Sequence, residues 1–216
     1  MKNLFYKQII EHEKEHNVLF WGCMHYGHDP NWTNPLWKIR GFKNVKEHDL
    51  TIVNNWNIKS MNNTVGFLLG DNIFGHNAHD RLIDFFRSIS FKRIYIMPGN
   101  HNSGWKQIFE KIEGNIYYPE DGKEVIFTPN YIEAIICGQE VVMSHYPLAS
   151  WNRQSKGSIM IHSHTHANLY KNELGKLLYK AKIIDVGVEN CPFPISIAEI
   201  KRKFEKLDPI VFDHHS

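Results

Sequence analysis

Cysteine is scarce in this chain, long apolar runs are missing, and neither sign of charge dominates. The three cysteines, Cys23, Cys137 and Cys191, form no paired disulfide framework, and the apolar part of "MKNLFYKQII" is too short for a secretory leader. Free thiols in a reducing cytoplasm are therefore expected, with Cys137 and Cys191 as buried strand or loop thiols. No segment approaches the ~18 consecutive apolar residues that span a bilayer, so no membrane partner is expected. A formal charge of +2 gives no global pull on nucleic acid, and the basic "KRKFEK" (Lys201 to Lys206) reads as the solvated face of a short helix. Repeats, low-complexity linkers and composition breaks are also lacking. The expectation is one domain over 1–216, long enough for a sizeable core.

A hydrophobic content of 42% with 13% aromatics can fill such a core. The stretch "FYKQIIEHEKEHN" has a polar, helical look and predicts an N-terminal helix over about 3–16. Short runs rich in β-branched and aromatic residues follow: "VLFW" (18–21), "TVGFLL" (64–69), "RIYIM" (93–97), "EAIIC" (133–137), "EVVM" (140–143), "SIMI" (158–161) and "KIIDVGV" (182–188). "VKEHDLTIVNNWNIKS" and "AHDRLIDFFRSI" carry apolar residues at helical spacing. Cys137-Gly138-Gln139 predicts a hairpin turn. Early alternation and late strand pairs predict an α/β fold in which mixed sheets are covered by helices.

Five of these runs end in residues able to bind a metal. "VLFWG" leads to Cys23 and His25, "FLLG" to Asp71, "IYIMPG" to Asn100 and His101, "VVMS" to His145, and "SIMI" to His162, His164 and His166. The carboxyl ends of strands in α/β sheets share one rim, where ligand sites assemble. Each motif has a plainer reading. Asp71 could cap the next helix, Asn100-His101 could simply make a turn, and His145 alone could be a satisfied structural histidine. "HSHTH" (162–166) is sharper, since period two would put His162, His164 and His166 on one side of an extended strand end. "HEKEH" (His12 to His16) matches the zinc-helix pattern of metalloproteases, but its surroundings are polar and a strand begins at Val18. A surface helix accounts for it better.

The ordered set Cys23-x-His25, Gly70-Asp71, Gly99-Asn100-His101, His145 and His164-x-His166 resembles the calcineurin-like metallophosphoesterase superfamily, which reads Asp-x-His, Gly-Asp, Gly-Asn-His-Asp/Glu, His and Gly-His-x-His in that order. "HYGH", "IVNNWN", "LLGD", "HYPLASWN" and "DVGVENCPFPIS" are similar to its small single-domain bacterial and phage branch, and the likeness runs from about Val18 to Ile200. The resemblance implies two mixed β-sheets packed as a sandwich flanked by helices. Between their rims it implies two divalent transition-metal ions (Mn, Zn, Fe or Ni). Carried over by motif position, Cys23, His25 and His166 hold the first metal, Asp71 bridges, and Asn100, His145 and His164 hold the second. His101 is the implied catalytic group beside a scissile phosphate. The implied activity is hydrolysis of a phosphomonoester or phosphodiester, nucleotide-like in the favoured case, by in-line attack of a metal-bridging hydroxide. His28 and Arg153 are candidate substrate contacts, Arg153 because its planar fork suits phosphoryl oxygens, although a surface arginine reads equally well. Asp29, His76 and Asn152 also lie near the inferred rim in sequence, while His214 and His215 belong to the tail.

Three departures stand out. Cys23 replaces the first Asp of the family pattern; as a thiolate it keeps the single negative charge but favours zinc or iron over manganese or magnesium. Ser163 replaces a glycine. Asn102 follows His101 where the family has an acid, and cannot supply the charge that holds an imidazole protonated. Two rivals remain. One is a descendant that binds metal or phosphate without turnover, which Cys23 motivates. The other is a nuclease on DNA or RNA, which the modest charge does not support.

Overall fold

The computed structural model describes residues 9–10, 14–28, 33–74, 78–101, 115–210 and 212. Asp29, His76, Asn102, His214, His215 and the His12 end of "HEKEH" lie outside them.

One sheet has six strands: β2 (Val18–Trp21), β3 (Val65–Leu69), β4 (Arg93–Met97), β5 (Ile116–Tyr117), β6 (Glu124–Phe127) and β11 (Ile195–Ser196), in the order β11-β2-β3-β4-β6-β5. Strands β2, β3, β4 and β6 run parallel, with β11 and β5 antiparallel at the two edges. The other sheet has five: β1 (Ile9–Ile10), β7 (Tyr131–Ile136), β8 (Gln139–Ser144), β9 (Ile159–His162) and β10 (Ile183–Asp185), in the order β1-β7-β8-β9-β10. The expected hairpin joins β7 to β8, where Ile136 pairs with Gln139 and both turn residues, Cys137 (φ 49°) and Gly138 (φ 76°), are left-handed.

Alternation along the strands builds the layers. Val18, Phe20, Val65, Phe67, Tyr95 and Met97 face inward and share one core with Ile132, Val141, Met143, Ile159, Ile161 and Ile184 of the second sheet. Phe20, Phe67 and Tyr95, in register on adjacent strands, stack with centroids 5.1 and 4.8 Å apart. Their neighbours Leu19, Trp21, Leu68, Ile94 and Ile96 face outward, under Ile52 and Trp56 of α2 (Val45–Lys59) and Leu82, Phe85 and Phe86 of α3 (Ala78–Ser88). Burial on both faces is why these parallel strands read as unbroken apolar runs. On the far side, Val142, Met160 and Ile183 pack with Trp151 and Ala181. Helix α1 (Leu36–Ile39) follows the first motif, α4 (Glu173–Leu178) precedes β10, and α5 (Ile197–Phe204) follows β11 behind a Ser196–Glu199 capping box. The fold is the expected α/β sandwich of two mixed sheets with flanking helices. Among the described residues, no helix is long and apolar enough to cross a membrane.

Two expectations change. Ile9–Ile10 is not helical: its backbone pairs with Ile135 and Ile136 as a parallel edge strand. Among the described residues of the expected 3–16 helix, whose residues 3–8 and 11–13 lie outside them, only Glu15 and His16 belong to a helical turn, Glu15–Asn17. Cys137 and Cys191 are half-buried rather than buried, and no disulfide occurs among the described residues.

Candidate metal centre

The parallel strands deliver their C-terminal ends to one rim, as do β8 and β9 of the other sheet. The rims are stitched together: Gly22 bridges to Gly187, and the N–H of Val188 donates to the Gly22 carbonyl at 3.2 Å. Beyond β2, the N–H of Cys23 donates to Gly70 O (3.0 Å) and that of His25 to Asp71 O (2.9 Å), so the first two motifs run side by side.

The ligand atoms of Cys23, His25 and His166 lie within 4.8 Å of one another, as do those of Cys23, Asp71 and His145. Asp71 Oδ2 stands 3.4 Å from His145 Nε2 and 4.0 Å from His25 Nε2, between the two groups. Asn100 Oδ1 reaches His145 Nε2 at 2.9 Å, and the His164 ring lies 4.9 Å from that of His145. The fold thus gathers all seven candidate ligands, and His101 with them: its N–H donates to Asp71 Oδ1 (2.8 Å), and its ring is 5.8 Å from that of His25. Cys23 sits more centrally than a terminal ligand of one metal, since its sulfur belongs to both groups.

This donor set fits cations. Both ring nitrogens of His25 are buried without a hydrogen-bond partner, an arrangement that costs about 1–3 kcal/mol unless something binds them, and burial pushes its pKa well down, keeping the ring neutral. His145 Nδ1 lies 3.1 Å from Leu69 O, and its Nε2 faces both Asp71 Oδ2 (3.4 Å) and Asn100 Oδ1 (2.9 Å). Burial pushes the Asp71 carboxyl up, but its hydrogen bond and charge interaction with His145 outweigh that and hold it at about 2. Burial pushes the Cys23 thiol strongly up while the Ser163 side chain and the N–H of His164 (3.0 Å from Sγ) hydrogen-bond to it; a thiolate here requires a cation beside it. His164 is lowered by burial and then by His145.

Backbone strain concentrates here. Cys23, His25, Asp71, His164 and His166 all adopt left-handed torsions, with φ between 47° and 67°, each costing about 1–2 kcal/mol. Such outliers gather at functional sites held by their surroundings. Two glycines make room: a Cβ on Gly70 would sit 2.1 Å from His145 Nδ1, and one on Gly99 2.1 Å from Asp71 Oδ1.

No protein-family model matches the chain. An uncharacterized protein of Methanocaldococcus jannaschii, MJ1445, is 27% identical over 168 residues, covering 77% of this chain and 81% of its own length. Among solved structures, the protein of unknown function AQ665 from Aquifex aeolicus superposes with a TM-score of 0.61 at 18% identity, covering 86% of this chain and 98% of that one. The likeness is one of fold.

Around the cluster, His28 is buried with its ring 4.4 Å from that of Phe74, and its Nδ1 accepts from Leu36 N–H. Phe74 stands 5.7 Å from His25 and 5.3 Å from His101, an apolar wall that sequence reasoning missed. Arg153 is elsewhere. It pairs with Glu140 at the start of β8, whereas His145 follows the end of that strand; five extended residues amount to about 16 Å. His162 also departs from expectation. The strand ends at His162 and the left-handed torsions of His164 and His166 break period two, so His162 is buried against Tyr179 OH (2.9 Å) and Ser163 O (2.8 Å). Two partners of the candidate ligands gave no local signal. Glu189 Oε1 accepts from His166 Nδ1 at 2.8 Å; burial raises its carboxyl, but that bond and the nearby Arg40 bring it to about 2. The Ser163 hydroxyl donates to Leu69 O and lies 3.1 Å from His145 Nδ1. Ser163 itself lies outside the left-handed region.

Proposed function

We propose that the chain is a metal-dependent phosphoesterase of the calcineurin-like metallophosphoesterase type, acting on a phosphomonoester or phosphodiester. The observation that carries this reading is the convergence of Cys23, His25 and His166 with Asp71 and His145, with both buried ring nitrogens of His25 left without a hydrogen-bond partner. Cys23, His25 and His166 would hold one ion, Asn100, His145 and His164 another, and Asp71 would serve both. When bound, two such ions supply Lewis acidity toward a phosphoryl oxygen and an activated nucleophile near neutral pH.

The chain's own residues do the rest. Asp71 offers one oxygen to the histidines and uses the other to hold the His101 backbone, which fixes His101 beside the cluster. From there a protonated ring nitrogen of His101 gives its proton to the leaving oxygen as the phosphoester bond breaks. His25 is kept neutral by burial, so it can donate a lone pair without adding repulsive charge. Phe74 excludes water behind His25 and His101. The small phosphoester substrate would approach the half-exposed side of the cluster at His101 and His164.

Hydrolysis of bis-p-nitrophenyl phosphate and of p-nitrophenyl phosphate, after reconstitution separately with manganese, zinc, iron and nickel, tests the proposal. Turnover abolished by chelation and sharply reduced by His101→Ala supports it; no turnover with any of these metals overturns it. A binding module without turnover is the second reading, favoured by the buried Cys23 thiol at a position where the resembled family carries a carboxylate; stoichiometric metal uptake without hydrolysis would select it.

A further inference from the structure

Arg40 follows α1 and carries no motif, yet its side chain is only 7% exposed. A guanidinium has five N–H donors and no acceptor, and each of the five finds a partner. Nε donates to Glu189 Oε1 (2.9 Å). Nη2 donates to Glu189 Oε1 (2.8 Å) and to the carbonyl of Cys23 (2.7 Å). Nη1 donates to the carbonyl of Met24 (2.8 Å) and to His48 Nε2 (2.8 Å). Since arginine only donates, His48 Nε2 must accept, so its Nδ1 carries the hydrogen and donates to Asp49 Oδ1 (2.8 Å). Asp49 in turn accepts from the N–H of Gly27 at 3.0 Å, at the far end of the same loop.

One planar group therefore grips two consecutive carbonyls of the Cys23–His25 loop, whose Cys23 and His25 hold left-handed torsions. Through Glu189, the same group orients His166, whose Nδ1 faces Glu189 and whose Nε2 is left for the cluster. Arg40 reaches the three ligands particular to the first metal position: Cys23 at its carbonyl, His25 through the carbonyl of Met24 before it, and His166 through Glu189. Among the hydrogen bonds described, none links it to Asn100, His145 or His164.

We infer that Arg40 is the positioning residue of the Cys23–His25–His166 metal position, holding its three ligands in register from behind. This rests on the metal-centre reading above. Lysine cannot replace it: three rotating donors on a point charge cannot satisfy these four acceptor atoms in one plane.

The test uses the full chain, stripped by chelator, with Co2+ as probe. Absorption from thiolate-to-cobalt charge transfer reports binding beside Cys23, and elemental analysis reports total uptake. Wild type is expected to take up two ions; no uptake there would overturn the metal-centre reading itself. In Arg40→Lys, the charge-transfer band should need ~10–100-fold more Co2+ to half-develop, the usual effect of losing an outer-shell partner. Uptake at limiting Co2+ should fall from two ions toward one. Glu189→Gln, which leaves the grip on the loop intact, should weaken the same position less. A band midpoint unchanged in Arg40→Lys overturns the inference. So does equal weakening of both positions, including through loss of native circular dichroism, because selectivity is what positioning predicts.

Discussion

The backbone N–H of His101 donates to Oδ1 of Asp71 at 2.8 Å, across 30 residues of sequence, while Oδ2 of the same carboxylate faces the histidines. Asp71 thus ties the proposed proton donor to the proposed metal ligands. Two variants should separate these roles. His101→Ala should lower kcat by about a hundred- to ten-thousand-fold, the span of general acid catalysis, with metal uptake intact. Asp71→Asn should lose metal uptake as well as turnover. Parallel uptake and rate measurements check this; loss of metal in His101→Ala would contradict it.

Gly99 gives a steric test of the same link. A methyl there would meet Asp71 Oδ1 at 2.1 Å and Asp71 N at 2.5 Å, with backbone on one side. Gly99→Ala should therefore push the carboxylate aside, cost about 1–3 kcal/mol of stability as overpacking does, and weaken metal binding. Wild-type affinity in a folded Gly99→Ala would show that Asp71 is not held where the cluster needs it.

Cys23→Asp restores the carboxylate of the resembled family. Exchanging a soft sulfur for a hard oxygen should shift the metal giving greatest activity from zinc or iron toward manganese. Rates across a metal series for both proteins measure this, and an unchanged order would exclude Cys23 from the coordination sphere.

Acid should destabilise the metal-free protein. His25 is held below its ordinary 6.5 by burial, so between that value and its lower folded one only the unfolded chain takes up the proton. Stability is then full above about 6.5 and falls as the pH drops below it, by at most ~1.4 kcal/mol per pH unit for one group. Asp71, at about 2 rather than 3.8, extends the loss to still lower pH. Urea midpoints of chelator-treated protein between pH 8 and 4 test this; His25→Gln should flatten the upper part of the curve. A variant slope equal to wild type would contradict the assignment.

His162 offers a control. It hydrogen-bonds Tyr179 and Ser163, and none of the hydrogen bonds described joins it to a candidate ligand, so His162→Gln should cost stability yet leave metal stoichiometry unchanged. Uptake measured beside thermal unfolding checks it.

His162 also shows where sequence reasoning stops. Period two holds along β9, but the left-handed torsions of His164 and His166 reverse the chain just beyond it, and no residue type announces that. The strands were legible because burial on both faces leaves uninterrupted apolar runs, as in "VLFW" and "RIYIM". The N-terminal edge strand was not: Ile9 and Ile10 are two apolar residues among charged ones, and pairing with β7 overrides the local helical look. Strand ends named the candidate ligands, since parallel strands share a rim. Their supports, Glu189 and Arg40, lie 23 residues after His166 and 17 after Cys23, and only folding joins them. Arg153 misled for the same reason, following "HYPLASW" yet returning to the opposite end of β8.

An element-resolved anomalous diffraction map of crystals grown with metal would show whether this rim holds a pair of ions. Two peaks about 3.5–4 Å apart are expected. One should lie against Cys23, His25 and His166, the other against Asn100, His145 and His164, with Asp71 between them. No peak at this rim, or a metal bound elsewhere with these side chains unoccupied, would contradict the proposed metal centre.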